Sequence, residues 1–219
     1  MADIRLRRTA VVAMCTLLAL AAGGMNASAS NMAFKLNKQI CQLGTAPNGQ
    51  NLVALPDHSP YEGSGGLNAL CTALGLSTSA QITQWNGTGN VFIHQCQQAQ
   101  QFNLLAGKGM MITEPTGTKS GVVVGSDIPN GQIAIENLQV APNGTNVIPI
   151  KYHTTAVTPQ DFCVDCGLSN TATVSRFDAC TGNVLTHTCG QVAQWSLVLG
   201  EAVLVLENQG RKVCTPSHF

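Results

Sequence analysis

Apolar positions along this chain change period several times, and each change marks an element. Residues 51–56 are a short apolar run closed by Pro56, the pattern of a buried strand. Leu67, Leu70, Cys71 and Leu74 then fall at i, i+3, i+4 and i+7, the stripe of a short helix with Ser64 as its cap and Gly75 as its stop. Over residues 80–85 the period is two, as in a half-buried strand. Asn86-Gly87-Thr88-Gly89 supplies the turn of a hairpin whose second strand covers residues 90–95. An aromatic-led run from Phe102 passes glycines and ends as an apolar strand before Glu114.

The same succession occurs twice. Ala46-Pro47-Asn48-Gly49-Gln50-Asn51 returns as Ala141-Pro142-Asn143-Gly144-Thr145-Asn146, 95 residues later. From that anchor His58 answers His153, Cys71 answers Cys163, Gly75-Leu76-Ser77 answers Gly167-Leu168-Ser169, and His94 and Cys96 answer His187 and Cys189. The second helix starts differently, with Thr158-Pro159 as cap and first-turn proline and Asp161 completing a capping box. Its hairpin covers residues 172–188 and its closing run residues 195–207. Residues 122–124 and 132–135 flank Asp127-Ile128-Pro129-Asn130-Gly131 and read as a hairpin joining the copies. Residues 30–42 have no counterpart in copy two and read as an edge strand or arm. The expected organisation is residues 1–29 as signal peptide, 30–45 as arm, 46–126 as copy one, 127–140 as connecting hairpin region and 141–219 as copy two. No Gly/Ser tether separates the copies, so they are expected to pack together. The class is α+β, mostly antiparallel β with one short helix per copy.

The pattern resembles a repeated extracellular module of bacterial and archaeal secreted proteins: an Asn-Leu-Val-x-Leu-Pro strand, a short helix, an aromatic-ended strand with a Thr-Gly turn, and a Phe/Trp-x-Leu-x-x-Gly strand. Here these are residues 51–56, Trp85, Thr88-Gly89 and residues 102–110. Copy two departs from it, with Lys151 at the place of Pro56 and Ala202 at the place of Gly109. The resemblance implies surface or matrix placement and brings no catalytic residues with it.

Composition narrows the function classes. Charged residues are 10% of the 219 and the net charge is zero, which excludes the electrostatic footprint of a nucleic-acid or anionic-membrane binder. Arg5, Arg7 and Arg8, an apolar run over residues 9–22 and Ala27-Ser28-Ala29 have the order of a secretory signal, so the mature chain is expected to begin at Ser30. The run is shorter than the about 20 residues of a membrane span, and no later stretch qualifies. Cys15 leaves with the signal. The compact signal points to a bacterial source and to a secreted, periplasmic or cell-surface location, where Asn86-Gly87-Thr88 and Asn143-Gly144-Thr145 are turns.

Eight cysteines remain: Cys41, Cys71, Cys96, Cys163, Cys166, Cys180, Cys189 and Cys214. An even count in an exported chain predicts disulfides. Equivalent positions in the copies should make equivalent bonds, giving Cys71–Cys96 and Cys163–Cys189. Of the three pairings left for the other four, Cys166–Cys180 as a local staple and Cys41–Cys214 as a tie between chain ends are expected.

Candidate chemistry is sparse. Cys163-Val164-Asp165-Cys166 falls in the second half of a helix, where the dipole opposes thiolate, so redox catalysis is disfavoured. A four-cysteine zinc site would have no counterpart in copy one. His58 with His94, and His153 with His187, are the candidate metal or general-base pairs, against the plainer reading as strand-end histidines shared by descent. Ser64 lacks the glycine spacing of a nucleophile elbow. Trp85, Trp195 and Phe102 are candidates for a sugar-stacking platform or for core. The expectation is an exported non-catalytic protein without cofactor, acting in adhesion, matrix or ligand binding toward an envelope, glycan or protein partner. The alternatives are a small secreted hydrolase or metal-dependent enzyme using the histidines, and a self-assembling subunit that adds residues 30–42 to a neighbour's sheet.

Overall fold

A computed structural model describes residues 34–45, 49–85, 89–105, 107–128, 131–137, 139–141, 144–178 and 180–217, and the structural statements that follow concern these. The expected signal peptide, the first residues of the arm, and the Pro47-Asn48, Asn86-Gly87-Thr88 and Pro142-Asn143 turn positions lie outside the described residues. Copy one contributes β1 (Phe34–Ile40), β2 (Asn51–Ala54), α1 (Gly66–Ala73), β3 (Gln81–Trp85), β4 (Val91–Gln95), β5 (Gly109–Thr113) and β6 (Lys119–Gly125). Copy two contributes β7 (Ile133–Ile135), β8 (Asn146–Pro149), α2 (Pro159–Asp165), β9 (Thr173–Asp178), β10 (Asn183–Thr188), β11 (Ala202–Leu206) and β12 (Lys212–Cys214). The class is α+β with two similar halves.

Strand pairing repeats element by element. One sheet runs β2-β5-β3-β4 and the other β8-β11-β9-β10, and all these pairs are antiparallel. Beside each sheet lies a two-stranded ribbon, β1–β6 in one half and β7–β12 in the other. Two expectations are corrected by this. The arm has a counterpart after all, because β1 matches β7. The connecting hairpin does not form: β6 pairs along its length with β1, and β7 pairs with β12, so the two strands belong to different halves. Alternation and a Pro-Asn-Gly stretch look alike whether the flanking strands pair with each other or elsewhere.

A buried asparagine carries the turn from ribbon to sheet. Asn51 Oδ1 accepts the Cys41 N–H at 2.7 Å, while Nδ2 donates to the carbonyls of Cys41 and Ile112 at 3.0 Å each. Asn146 does the same with the Glu136 N–H at 2.8 Å and the carbonyls of Glu136 and Val205 at 2.8 and 3.1 Å. Cys41 and Glu136 lie one residue beyond the ribbon pairings that end at Ile40 and Ile135, and a carboxamide supplies the donor and acceptor geometry their backbone groups require.

The helices end alike and begin differently. Gly75 and Gly167 take positive φ of 64° and 57°. In each Schellman-type cap the next residue, Leu76 or Leu168, donates its N–H back to Cys71 or Cys163 O at 2.9 Å. Thr158 and Asp161 form the expected capping box on α2. On α1 the N-cap is Gly65, at φ 81° and without a side-chain cap, so Ser64 does not serve. A side chain at Gly66 would collide with the Tyr61 backbone, which shows how closely the chain folds back before the helix.

Disulfides Cys71–Cys96 and Cys163–Cys189 tie each helix to the turn after the second hairpin strand. At sequence separations of 25 and 26, each is worth about 3–4 kcal/mol in the chain-entropy account. The other two bonds correct the expected Cys166–Cys180 and Cys41–Cys214: the structure pairs Cys166 with Cys214 and Cys41 with Cys180. Register explains the first. Lys119 and Lys212 sit opposite Ile40 and Ile135, so Gly121 and Cys214 are equivalent positions. In copy one Gly121 lies directly against Leu74, the helix C-cap; in copy two Cys166 holds the cap position, and a disulfide replaces that close packing. Cys41, at the end of β1, reaches across to the hairpin turn of copy two, closing a separation of 139 residues.

Each half has its own core, around Leu67, Leu70, Ile82 and Ile112 in one and Phe162, Ile148, Val174 and Val205 in the other. Between them Met111, Val147 and Ala202, with Leu52, Trp85 and Leu204, form a shared layer. Gly109 lies so close to Val147 that a Cβ would not fit. Both halves fall within one compact unit, Met32–Phe219.

Replacing Asn51 or Asn146 by alanine leaves two buried backbone groups, the N–H and C=O of Cys41 or Glu136, without that partner, and each substitution is expected to lower the unfolding free energy by about 3 kcal/mol. Asn37→Ala, at an exposed position of β1, should change it by less than about 0.5 kcal/mol. Denaturant unfolding of the three variants measures this; equal effects at all three positions would contradict it.

Candidate functional site

Buried titratable groups are the first place to look for chemistry, and here each is consumed by the fold. Glu114 and Glu207 are fully buried at the ends of β5 and β11. Glu114 accepts the Ser77 and Thr116 N–H groups at 2.8 Å and their hydroxyls at 2.7 and 2.9 Å. Glu207 accepts the N–H groups of Ser169 and Gln209 at 2.9 and 2.7 Å. Burial by itself would raise both pKa values, but these hydrogen bonds outweigh it and hold both carboxylates below the ordinary range. They are ionised anchors for the segment after the helix, not proton donors.

The histidines behave likewise. His94 Nε2 lies 3.0 Å from Asn68 Oδ1, which also accepts the Gln97 N–H at 2.8 Å. His187 Nε2 lies 3.0 Å from Gln160 Oε1, which accepts the Gly190 N–H at 2.8 Å. In both copies a helix amide thus bridges the ring to the turn after the second hairpin strand, with the ring as donor to the carbonyl oxygen. Burial pushes both pKa values down, keeping the rings neutral. His58, by contrast, is exposed and pairs through its backbone with Ser126, and His153 meets the Tyr152 ring edge-on at 5.3 Å. Among the described residues no cluster of three or more His, Cys, Asp or Glu could hold a metal ion.

The aromatic candidates are likewise distributed. Trp85 packs into the shared layer, Phe102 against the core of copy one and onto Phe92 at 5.3 Å, and Trp195 against the core of copy two. They form no common platform.

What the structure does create is a cleft of about 270 Å³ where β1 and β2 of copy one meet residues 198–201 of copy two. The exposed amides of Asn37 and Gln39 border it, with Leu52, Leu199 and the buried Phe177 as apolar wall. Lys38 donates from Nζ to Gly200 O at 2.5 Å. Burial lowers the Lys38 pKa, partly offset by the nearby Glu201 carboxylate, which itself accepts from Arg176 Nε at 2.8 Å. The cleft combines amide, ammonium and carboxylate groups beside apolar surface, suited to holding a polar ligand; among the described residues its lining includes no Ser, Cys or His. A second set of charges joins the halves nearby. Asp57 accepts from Lys151 Nζ and the Ile128 N–H, both at 2.8 Å, and Asp127, its pKa raised by burial, accepts the Tyr152 N–H at 2.7 Å.

The cleft escaped the sequence reading. One trace of it was present: Phe34, Leu36, Lys38 and Ile40 share one face of an alternating strand, and a lysine among three apolar residues on the inward face signals a buried charge with a partner elsewhere. That the partner lies in the other half is visible only in three dimensions.

Compared with known proteins, the chain matches no family model, no curated protein and no solved structure.

The pKa directions fix the response to acid. Neutral His94 and His187 contribute stability that is present above the unfolded value of about 6.5 and lost as pH falls through their lower folded values. Glu114 and Glu207 add a second loss as pH falls below about 4.3. Denaturation midpoints should therefore fall from neutral pH to pH about 5 and again toward pH about 3. In a His94→Gln/His187→Gln variant the first decline should be smaller than in the wild type; an identical slope would contradict the assignment.

Proposed function

We propose that this protein is an exported, non-catalytic component of the cell exterior, whose two fused modules form a rigid body that binds an envelope or glycan ligand. The observation that carries the reading is the duplicated use of Glu114 and Glu207, and of His94 and His187, as structural anchors, described above, in a frame closed by four disulfides among the described residues. Such bonds persist in oxidising compartments, and no helix among the described residues is long and apolar enough to cross a membrane. An enzyme built on His58 and His94, or His153 and His187, would want those side chains convergent. Here two are buried under helices, each with a carboxamide partner. Strand exchange by residues 30–42 is disfavoured as well, because all seven residues of β1 pair with β6 of the same chain.

The inter-copy cleft is the favoured ligand site, its mixed polar and apolar lining matching a hydroxyl-rich sugar better than a strongly charged ligand. The N-terminus of the exported protein should read Ser30. The mature chain should be retained on a glycan array or on isolated envelope, and Lys38→Ala or Glu201→Ala should reduce retention by at least about tenfold, roughly the 1.4 kcal/mol of a lost charged hydrogen bond. Undiminished retention by both folded variants would move the ligand away from the cleft. A cytoplasmic protein with an uncleaved N-terminus would overturn the exported reading itself.

A further inference from the structure

Each four-stranded sheet ends on a strand with a single partner among the described residues: β4 beside β3, and β10 beside β9. The phase of these edges follows from the hydrogen bonds at their bases. The Cys96 N–H donates to Ala80 O, and the Cys189 N–H to Ala172 O, both at 2.9 Å. Bonded and non-bonded pairs alternate in an antiparallel ladder. Within the sheet, therefore, Ile82 bonds His94 and Gln84 bonds Phe92, while Val91 and Ile93 turn their N–H and C=O groups outward. By the same count Val184 and Thr186 face outward from β10. The outward residues are also exposed through their side chains, at 44% for Val91, 52% for Ile93 and 44% for Val184.

Edges are ordinarily protected by charge, proline, a bulge or a covering segment. β4 reads Val-Phe-Ile-His-Gln and β10 reads Asn-Val-Leu-Thr-His-Thr, neither with a charged residue or a proline. Both registers run without a bulge. The histidine of each strand is buried and points inward.

We propose that the protein assembles with copies of itself through these edges, β10 of one chain adding antiparallel to β4 of the next, so that the sheets continue from subunit to subunit. The occupant is a second copy for two reasons. The edges are internal equivalents, so every chain presents both halves of the contact at the same residue spacing. Val91 and Ile93 on one chain match Thr186 and Val184 on the other, backbone group to backbone group, with Ile93 set against Val184 side chain to side chain. Neither edge carries charge, so nothing opposes the approach. The chain's own arm is not the occupant, because β1 is already paired with β6. A head-to-tail contact leaves one free edge on each end of the assembly, so it propagates as an open row instead of closing as a dimer. This assembly is independent of the ligand binding proposed above.

Mature, disulfide-intact protein is examined by sedimentation velocity over a concentration series, alongside Ile93→Lys, Thr186→Lys and, as a surface control on neither edge, Val192→Lys. Wild type and V192K should form species that grow with concentration. I93K and T186K should each lose all species above monomer. A mixture of the two should form dimers and nothing larger, since I93K keeps an intact β10 and T186K an intact β4. Near-ultraviolet circular dichroism confirms that the variants are folded. A wild type that stays monomeric throughout, edge variants that still grow, or a mixture that stays monomeric would each overturn the proposal.

Discussion

Wherever an extended segment leaves a two-stranded ribbon to enter a sheet, its backbone polar groups lose their ladder partners, and burying them unsatisfied costs about 1–3 kcal/mol each. This chain meets that constraint twice with the same device. Asn51 and Asn146 each reach back ten residues to hold both polar groups of Cys41 or Glu136, and forward to a carbonyl of the neighbouring strand. Ribbon, first strand and β5 or β11 are thereby fixed to one another. The helix is then held by its disulfide, the histidine by the helix carboxamide, and the end of β5 or β11 by the buried glutamate. Each anchor presupposes the placement made by the one before it.

The likeness of the two halves accounts for most of what was legible in the sequence. The matched helices, hairpins and closing strands, and the Cys71–Cys96 and Cys163–Cys189 bonds, follow from positions that answer one another in the two copies. The features that escaped are those in which the copies differ. Cys41 stands where copy two has Glu136, and Cys180 lies in a turn one residue longer than its counterpart, so no internal equivalence constrained either. Cys166 and Cys214 replace a Leu–Gly contact, which can be recognised only once the ribbon register shows that Gly121 and Cys214 coincide. The ribbon strand β7 is three residues long and its sequence shares little with β1 beyond the terminal isoleucine, which is why the arm lacked a visible partner.

The departures from the repeat concentrate where the halves meet. Lys38, Glu201 and Arg176 make a charged contact at positions whose equivalents are Ile133, Lys108 and Gln84, and Phe177 stands opposite Trp85 in the alignment of the copies. These differences leave one side with a polar cleft and a covalent tie through Cys41–Cys180, which the chain-entropy account values at about 5 kcal/mol for a loop of this size. The geometry shared by the two halves is structural; the asymmetry between them is where the cleft lies.

The central claim is that the two similar halves act as one rigid body, and the tryptophans test it directly. Trp85 reports the layer between the halves and Trp195 the core of copy two. Denaturant unfolding of the Trp85→Phe and Trp195→Phe variants, with disulfides intact, can be followed by fluorescence of the remaining tryptophan and by far-ultraviolet circular dichroism. In each variant the two probes should trace one coincident transition. A Trp85 signal lost well before the circular dichroism, while Trp195 persists, would show modules that separate before they unfold and would contradict the account.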